Sequence, residues 1–149
     1  MIEIEQYDHL GIRVTDTQRA IAFYETLGFR LLKRVEHDAV AILKNAANVE
    51  INLILNGVDL TGGKNILMDV PDKHPGYTHV AFRVAHILPV MAALKEHSIS
   101  ITQGPVTFGD GHVSVFVRDP DRNVIEFRAR LDEAQAATIE GLTFYDPKG

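Results

Sequence analysis

The phrase DHLGIRV at residues 8–14 returns as THVAFRV at residues 78–84, so the chain writes His-x-x-x-Arg-Val twice within 149 residues. The segment after each phrase repeats as well. TDTQRAIAFYETLGF places Ala20, Phe23, Tyr24 and Leu27 at i, i+3, i+4 and i+7, with Thr15 or Asp16 as N-cap and Gly28 as the stop. AHILPVMAALKEHSI gives Ile87, Val90, Met91 and Leu94 the same spacing, with Pro89 early enough for a first turn. Extended segments come after each helix, at 29–36, 39–44 and 49–55 in the first half and near 99–103, 112–118 and 123–129 in the second. Both halves therefore read β-α-β-β-β.

A single α+β domain over 1–149 is expected, built from two βαβββ modules at about 7–55 and 77–129. Residues 56–76, rich in Gly, Pro and Asp, read as a linker with one short apolar piece at 66–70. The tail 130–149 holds a short helix around 132–139, and Leu142, Phe144 and Tyr145 are expected to fold back. A hydrophobic fraction of 46% suffices for a core, and the absence of cysteine excludes disulfides and thiolate zinc sites. The net charge of −5 without a basic cluster speaks against a nucleic-acid partner. No stretch is apolar enough to cross a bilayer and the start does not resemble a secretory signal, so a cytoplasmic location is expected.

Strand parity picks out the chemistry. Leu10, Ile12 and Val14 share one face while His9, Gly11 and Arg13 share the other; Val80, Phe82 and Val84 likewise oppose His79, Ala81 and Arg83. On the closing strands Glu50 and Asn52 oppose Ile51 and Leu53, and Glu126 opposes Ile125 and Phe127. Each module thus offers one His and one Glu on the face away from its helix. Two imidazoles and two carboxylates suit a divalent metal and leave room for substrate oxygens. On HVSVFVR, His112, Ser114, Phe116 and Arg118 share that face and are candidate substrate contacts. His37, His74, His86 and His97 fall in turns or at helix ends and read as surface residues.

The phrases DHLGIRV, AIAFYETLGF, VEINLI, GYTHVAFRV and VFVRDPDRNVIEF resemble the vicinal oxygen chelate superfamily, which includes glyoxalase I, extradiol dioxygenases, fosfomycin-resistance transferases and bleomycin-binding proteins. The resemblance spans about residues 7–129 and implies paired modules forming a cupped mixed sheet with helices on its outer face. By motif position it implies His9, Glu50, His79 and Glu126 as metal ligands. That pattern is most similar to glyoxalase I, a lactoylglutathione lyase, in which a ligand Glu moves a proton through an enediolate-type intermediate. Glu126 and Glu50 are then the candidate bases, and Arg13 matches an arginine that holds the glutathione carboxylate. The asparagine that glyoxalase I places four residues after its first Glu falls here on Ile54. Asn52 shares the Glu50 face, and a shifted register would turn Asn52 to the metal instead.

Two other readings stay open. An extradiol dioxygenase with Fe(II) needs His9, His79 and Glu126 with open positions, and Glu50 counts against it. A bleomycin-resistance-type binding protein needs no metal, and the ligand set counts against that. The metal is Ni, Zn, Mn, Co or Fe, and glutathione is a candidate co-substrate. A homodimer is expected, its metal sites built within one chain or shared between two.

Overall fold

A computed structural model of the chain describes residues 1–147. The chain forms two compact units, Met1–Lys64 and Asn65–Gly149, and each carries one mixed α+β sheet. In the first, β1 (Leu10–Arg13), α1 (Thr17–Thr26), β2 (Arg30–Val35), β3 (Val40–Lys44) and β4 (Glu50–Ile54) occur in that order. The sheet order is β1-β4-β3-β2, with β1 parallel to β4 and the other pairs antiparallel. Asp16 caps α1, its side chain accepting from Arg19 N at 2.9 Å, and Gly28 succeeds the helix at φ 94°, where a side chain would be strained. Ala20 and Tyr24 of the helical stripe are buried with Ile12, Val14, Ala41, Leu43, Ile51 and Leu53. Parity along β1 and β4 thus sends one face into a core and leaves His9, Glu50 and Asn52 off it.

The second unit repeats the order with additions: β5 (His79–Arg83), α2 (Ile87–Glu96), β6 (Gln103–Thr107), β7 (His112–Arg118), β8 (Val124–Arg130), α3 (Glu133–Ala136) and β9 (Thr143–Phe144). Its sheet runs β5-β8-β7-β6-β9, with β5 parallel to β8, and α2 packs on β7 and β8. Val113, Val115 and Val117 are buried, as alternation requires.

Two expectations change. The strand expected at 99–103 lies at Gln103–Thr107. Ile99 and Ile101 alternate like a strand, but the ladder begins only where β6 meets β7, with an irregularity between Gln103 and Val106 that accommodates Pro105. Gly104 (φ 97°) is needed there, because a Cβ would stand 2.5 Å from the Ser114 carbonyl oxygen.

The linker is not uniform. Asp69 accepts from Arg118 Nη2 (2.9 Å) and Arg122 Nε (3.0 Å), and Asn65 Nδ2 donates to the Arg122 carbonyl (3.1 Å), so the stretch from Asn65 belongs to the second unit. The tail does fold back, through α3, capped by Asp132, and through β9 beside β6. Ile139 of the tail is buried and the Tyr145 ring lies 5.0 Å from that of Phe108, while Phe144 stays 76% exposed.

Candidate functional site

Both histidines stand at the start of a short edge strand that runs parallel to the closing strand of its unit. In the second unit His79 Nε2 lies 3.2 Å from Glu126 Oε2, and Thr78 Oγ1 bonds His79 Nδ1 at 2.8 Å. With Nδ1 engaged, Nε2 is the nitrogen directed at the carboxylate. Ser114 donates to Glu126 Oε1 at 2.5 Å, and both residues are buried. Glu126 is thereby held at one oxygen by a hydroxyl and presents the other beside an imidazole. Phe116 packs edge-on against the His79 ring, centroids 5.9 Å apart, walling one side of the pair.

The first unit holds a looser counterpart. His9 Nδ1 donates to Asp8 Oδ1 at 2.6 Å, and Glu50 Oε2 lies 3.8 Å from the same nitrogen. Glu50 Oε1 is 3.5 Å from Lys44 Nζ. Asn52 joins the group when its amide oxygen faces His9 Nε2 at 3.2 Å, which also lets Nδ2 donate to Glu50 Oε2 at 3.3 Å. The opposite orientation sets that oxygen against acceptors alone. Asp8, His9 and Glu50 place one potential ligand atom each within 4.8 Å of one another. Imidazole with carboxylates and an amide is a donor set that fits a borderline or hard divalent ion. Parity had singled out His9 and Glu50; Asp8, which directly precedes His9 as Thr78 precedes His79, was not singled out.

The remaining expected residues divide. Arg13 lies on the His9 face and donates from Nε to Asn56 Oδ1 at 3.0 Å. His112 opens β7 with Nδ1 3.0 Å from the Asp110 carbonyl oxygen. Arg118 directs its guanidinium to Asp69 and to the Arg122 carbonyl (2.8 Å), so its donors serve the clamp on residues 65–70. That clamp holds the Asp69 carboxyl well below the usual range, at about 2, chiefly through its bond from Arg122 and also through the Asn65 amide and Arg118. Asp110 is likewise lowered, mainly by Arg128, whose Nη2 lies 2.6 Å away. The turn after β7 is fixed by Asp119, which accepts from the amides of Asp121 and Asn123. His37, His74, His86 and His97 are exposed, as expected. A groove of about 410 Å³ on the second unit is lined by His86, Ile87, Arg130 and Ile139, and none of the His79, Ser114 or Glu126 side chains faces it.

Comparison with known proteins agrees with this architecture. The chain is 29% identical over 136 residues to the glyoxalase domain-containing protein RDO1 of Mycosarcoma maydis, covering 88% of this chain and 72% of that one. Virulence protein STM3117 of Salmonella typhimurium is 28% identical over 128 residues, 83% of each chain, and its crystal structure superposes with a TM-score of 0.65 over 87% of this chain and 100% of that one. A glyoxalase family protein from Enterococcus faecalis is 29% identical, with a TM-score of 0.67 over 83% of this chain and 97% of that one. The family model described as Glyoxalase/Bleomycin resistance protein/Dioxygenase superfamily matches residues 6–127, and with the two βαβββ sheets in place the chain belongs to that superfamily.

Proposed function

We propose that the protein is a divalent-metal-dependent, glyoxalase-like lyase or isomerase acting on a small substrate that presents two neighbouring oxygens. The observation that carries this reading is the Ser114–Glu126–His79 array, a buried carboxylate 3.2 Å from an exposed imidazole with its other oxygen already bonded by the buried Ser114. Such a pair can ligate a divalent ion, and His9 with its β4 neighbours offers donors of the same kind in the first unit. His79 and Glu126 in the second unit, and His9 and Glu50 in the first, are assigned as metal ligands. A bound divalent ion supplies Lewis acidity to the substrate oxygens.

The protein's own groups divide the remaining work. Glu126, buried and held by Ser114, keeps one position. Glu50 retains side-chain exposure of 20%, and its contacts to Lys44 (3.5 Å) and His9 (3.8 Å) are long beside the short bond that holds Glu126. Glu50 Oε2 is therefore assigned to take a proton from one substrate carbon and return it to the next. Phe116 excludes water beside His79, and Arg13 orients an anionic end of the substrate.

The test is turnover of a hemithioacetal by protein loaded in turn with Ni, Zn, Mn or Co. Activity that Glu50→Gln abolishes while metal content stays unchanged is expected. Activity without any metal, or full activity in Glu50→Gln, contradicts the reading. A second reading, an extradiol-type dioxygenase on His9, His79 and Glu126, is favoured by one observation, the single buried carboxylate among the four expected ligands. Oxygen uptake with a catechol on Fe(II)-loaded protein, and none of the hemithioacetal activity, is its signature.

A further inference from the structure

Arg83 stands four residues after His79, as Arg13 stands four residues after His9. The two arginines meet different surroundings. Arg13 lies opposite Ile54 on the β1–β4 ladder, and its Nε donates to Asn56 Oδ1. Arg83 lies opposite Arg128 on the β5–β8 ladder, and Val84 N extends that ladder by donating to the Arg128 carbonyl at 3.0 Å. Two guanidinium side chains thus start side by side from neighbouring strands, about 4.8 Å apart, on the face that also carries His79 and Glu126. Like charges at facing positions repel and cost stability, and the chain places this pair together although its net charge is −5. Arg128 Nη2 bonds Asp110 Oδ2 at 2.6 Å. Arg83 is exposed and has no hydrogen bond or ion pair among the described residues.

We infer that Arg83 and Arg128 bind a carboxylate carried by the substrate, one same-face step along β5 and β8 from the His79–Glu126 pair. The inference rests on the proposed function for the place of the reacting oxygens, and it gives that function a substrate class. From the level of Ala81 and Glu126 to that of Arg83 and Arg128 is two residues, about 6.6 Å along the strands. The substrate therefore presents two neighbouring oxygens at one end and a carboxylate at the other, joined by a short carbon chain. Charge selects the kind of anion. The two arginines carry two positive charges and Asp110 offsets one, so one remains. A monoanionic carboxylate matches that remainder, and its two oxygens fit the guanidinium fork. A phosphate dianion exceeds it. Ser114, opposite Arg128 on β7, has its hydroxyl on Glu126, so the arginines are the donors left for the anion.

The experiment is calorimetric titration of the full chain, both Zn(II)-loaded and metal-free, with 2-oxoglutarate and with 2-oxopentanoate, which keeps the 2-oxo acid end and lacks the second carboxylate. Loaded wild type is expected to bind 2-oxoglutarate at least about tenfold more tightly than 2-oxopentanoate. Arg83→Gln is expected to abolish that preference with metal content unchanged, and Arg83→Lys to keep part of it, since an ammonium supplies the charge without the fork. Circular dichroism confirms that each variant is folded; should Arg83→Gln unfold, the reduced preference of Arg83→Lys decides the matter. Equal affinity for the two acids in loaded wild type, a preference that survives Arg83→Gln, or one lost in Arg13→Gln alone overturns this inference and leaves the metal reading standing. Tighter Arg83-dependent binding of 4-phosphono-2-oxobutanoate than of 2-oxoglutarate overturns the assignment to a carboxylate. A wild-type chain that takes up no divalent ion overturns the metal reading. The metal-free titration then decides the arginine pair, an Arg83-dependent preference for 2-oxoglutarate upholding it and no preference overturning it.

Discussion

The two halves write the same phrase and reach different physical results. In the second, the acidic partner of the histidine is buried, its other oxygen is bonded by a buried serine, and an aromatic ring flanks the imidazole. In the first, Asp8 beside the histidine has a side chain 90% exposed, and Glu50 lies two residues before Asn52, which pairs with Gly11 as Glu126 pairs with Ala81. A repeat thus fixes backbone architecture more tightly than it fixes the chemistry hung on it, because core-facing positions must fill a shared volume while the other face is free to diverge.

This contrast is open to breakage at several points. The largest effect is expected from Glu126→Ala, which removes the only buried carboxylate of the expected ligand set: metal affinity should fall by more than about 100-fold, exceeding the cost of losing an outer partner, as read by titration. An equal loss from Glu50→Ala would erase the asymmetry.

Next comes the clamp of the second half. The Asp69 carboxyl is lowered to about 2 from 3.8, so its stabilisation is present above the unfolded value near 4 and is lost as pH falls toward 2. That difference corresponds to about 2 kcal/mol. Asp69→Asn should lower the unfolding free energy at neutral pH by about that amount and flatten the acid limb between pH 4 and 2, measured by denaturant titration at each pH. Ser114→Ala ranks third: loss of the bond to Glu126 should cost about 1–2 kcal/mol of stability and about tenfold in metal affinity, with Ser114→Thr restoring part of both. Smallest is Asp8→Asn, at an exposed pair, which should shift stability by less than about 0.5 kcal/mol while weakening metal binding through His9 by about tenfold.

Much of the fold was legible in the sequence, and the reasons are local. Alternation on DHLGIRV and THVAFRV identified which residues leave the core, and the spacing of Ala20, Tyr24, Ile87 and Leu94 located both helices. The sixth strand was misplaced because the alternation of Ile99 and Ile101 stops short of the ladder, which passes through Pro105. Parity put Glu50 and Asn52 on one face but could not rank them, since the register between β1 and β4 depends on partners some forty residues apart. The roles of Asp69 and Ser114 were hidden for a similar reason: Asp69 meets Arg118 and Arg122 across about fifty residues, and Ser114 meets Glu126 across neighbouring strands.

The central claim of the proposed function is that the repeated histidines, one in each unit, serve as ligands to a divalent ion. Elemental analysis of freshly purified wild type, His9→Ala and His79→Ala tests it most directly. A transition metal bound by the wild type and reduced in each variant is the predicted result. An unchanged metal content in both variants, or no metal in any of the three after reconstitution, would contradict it.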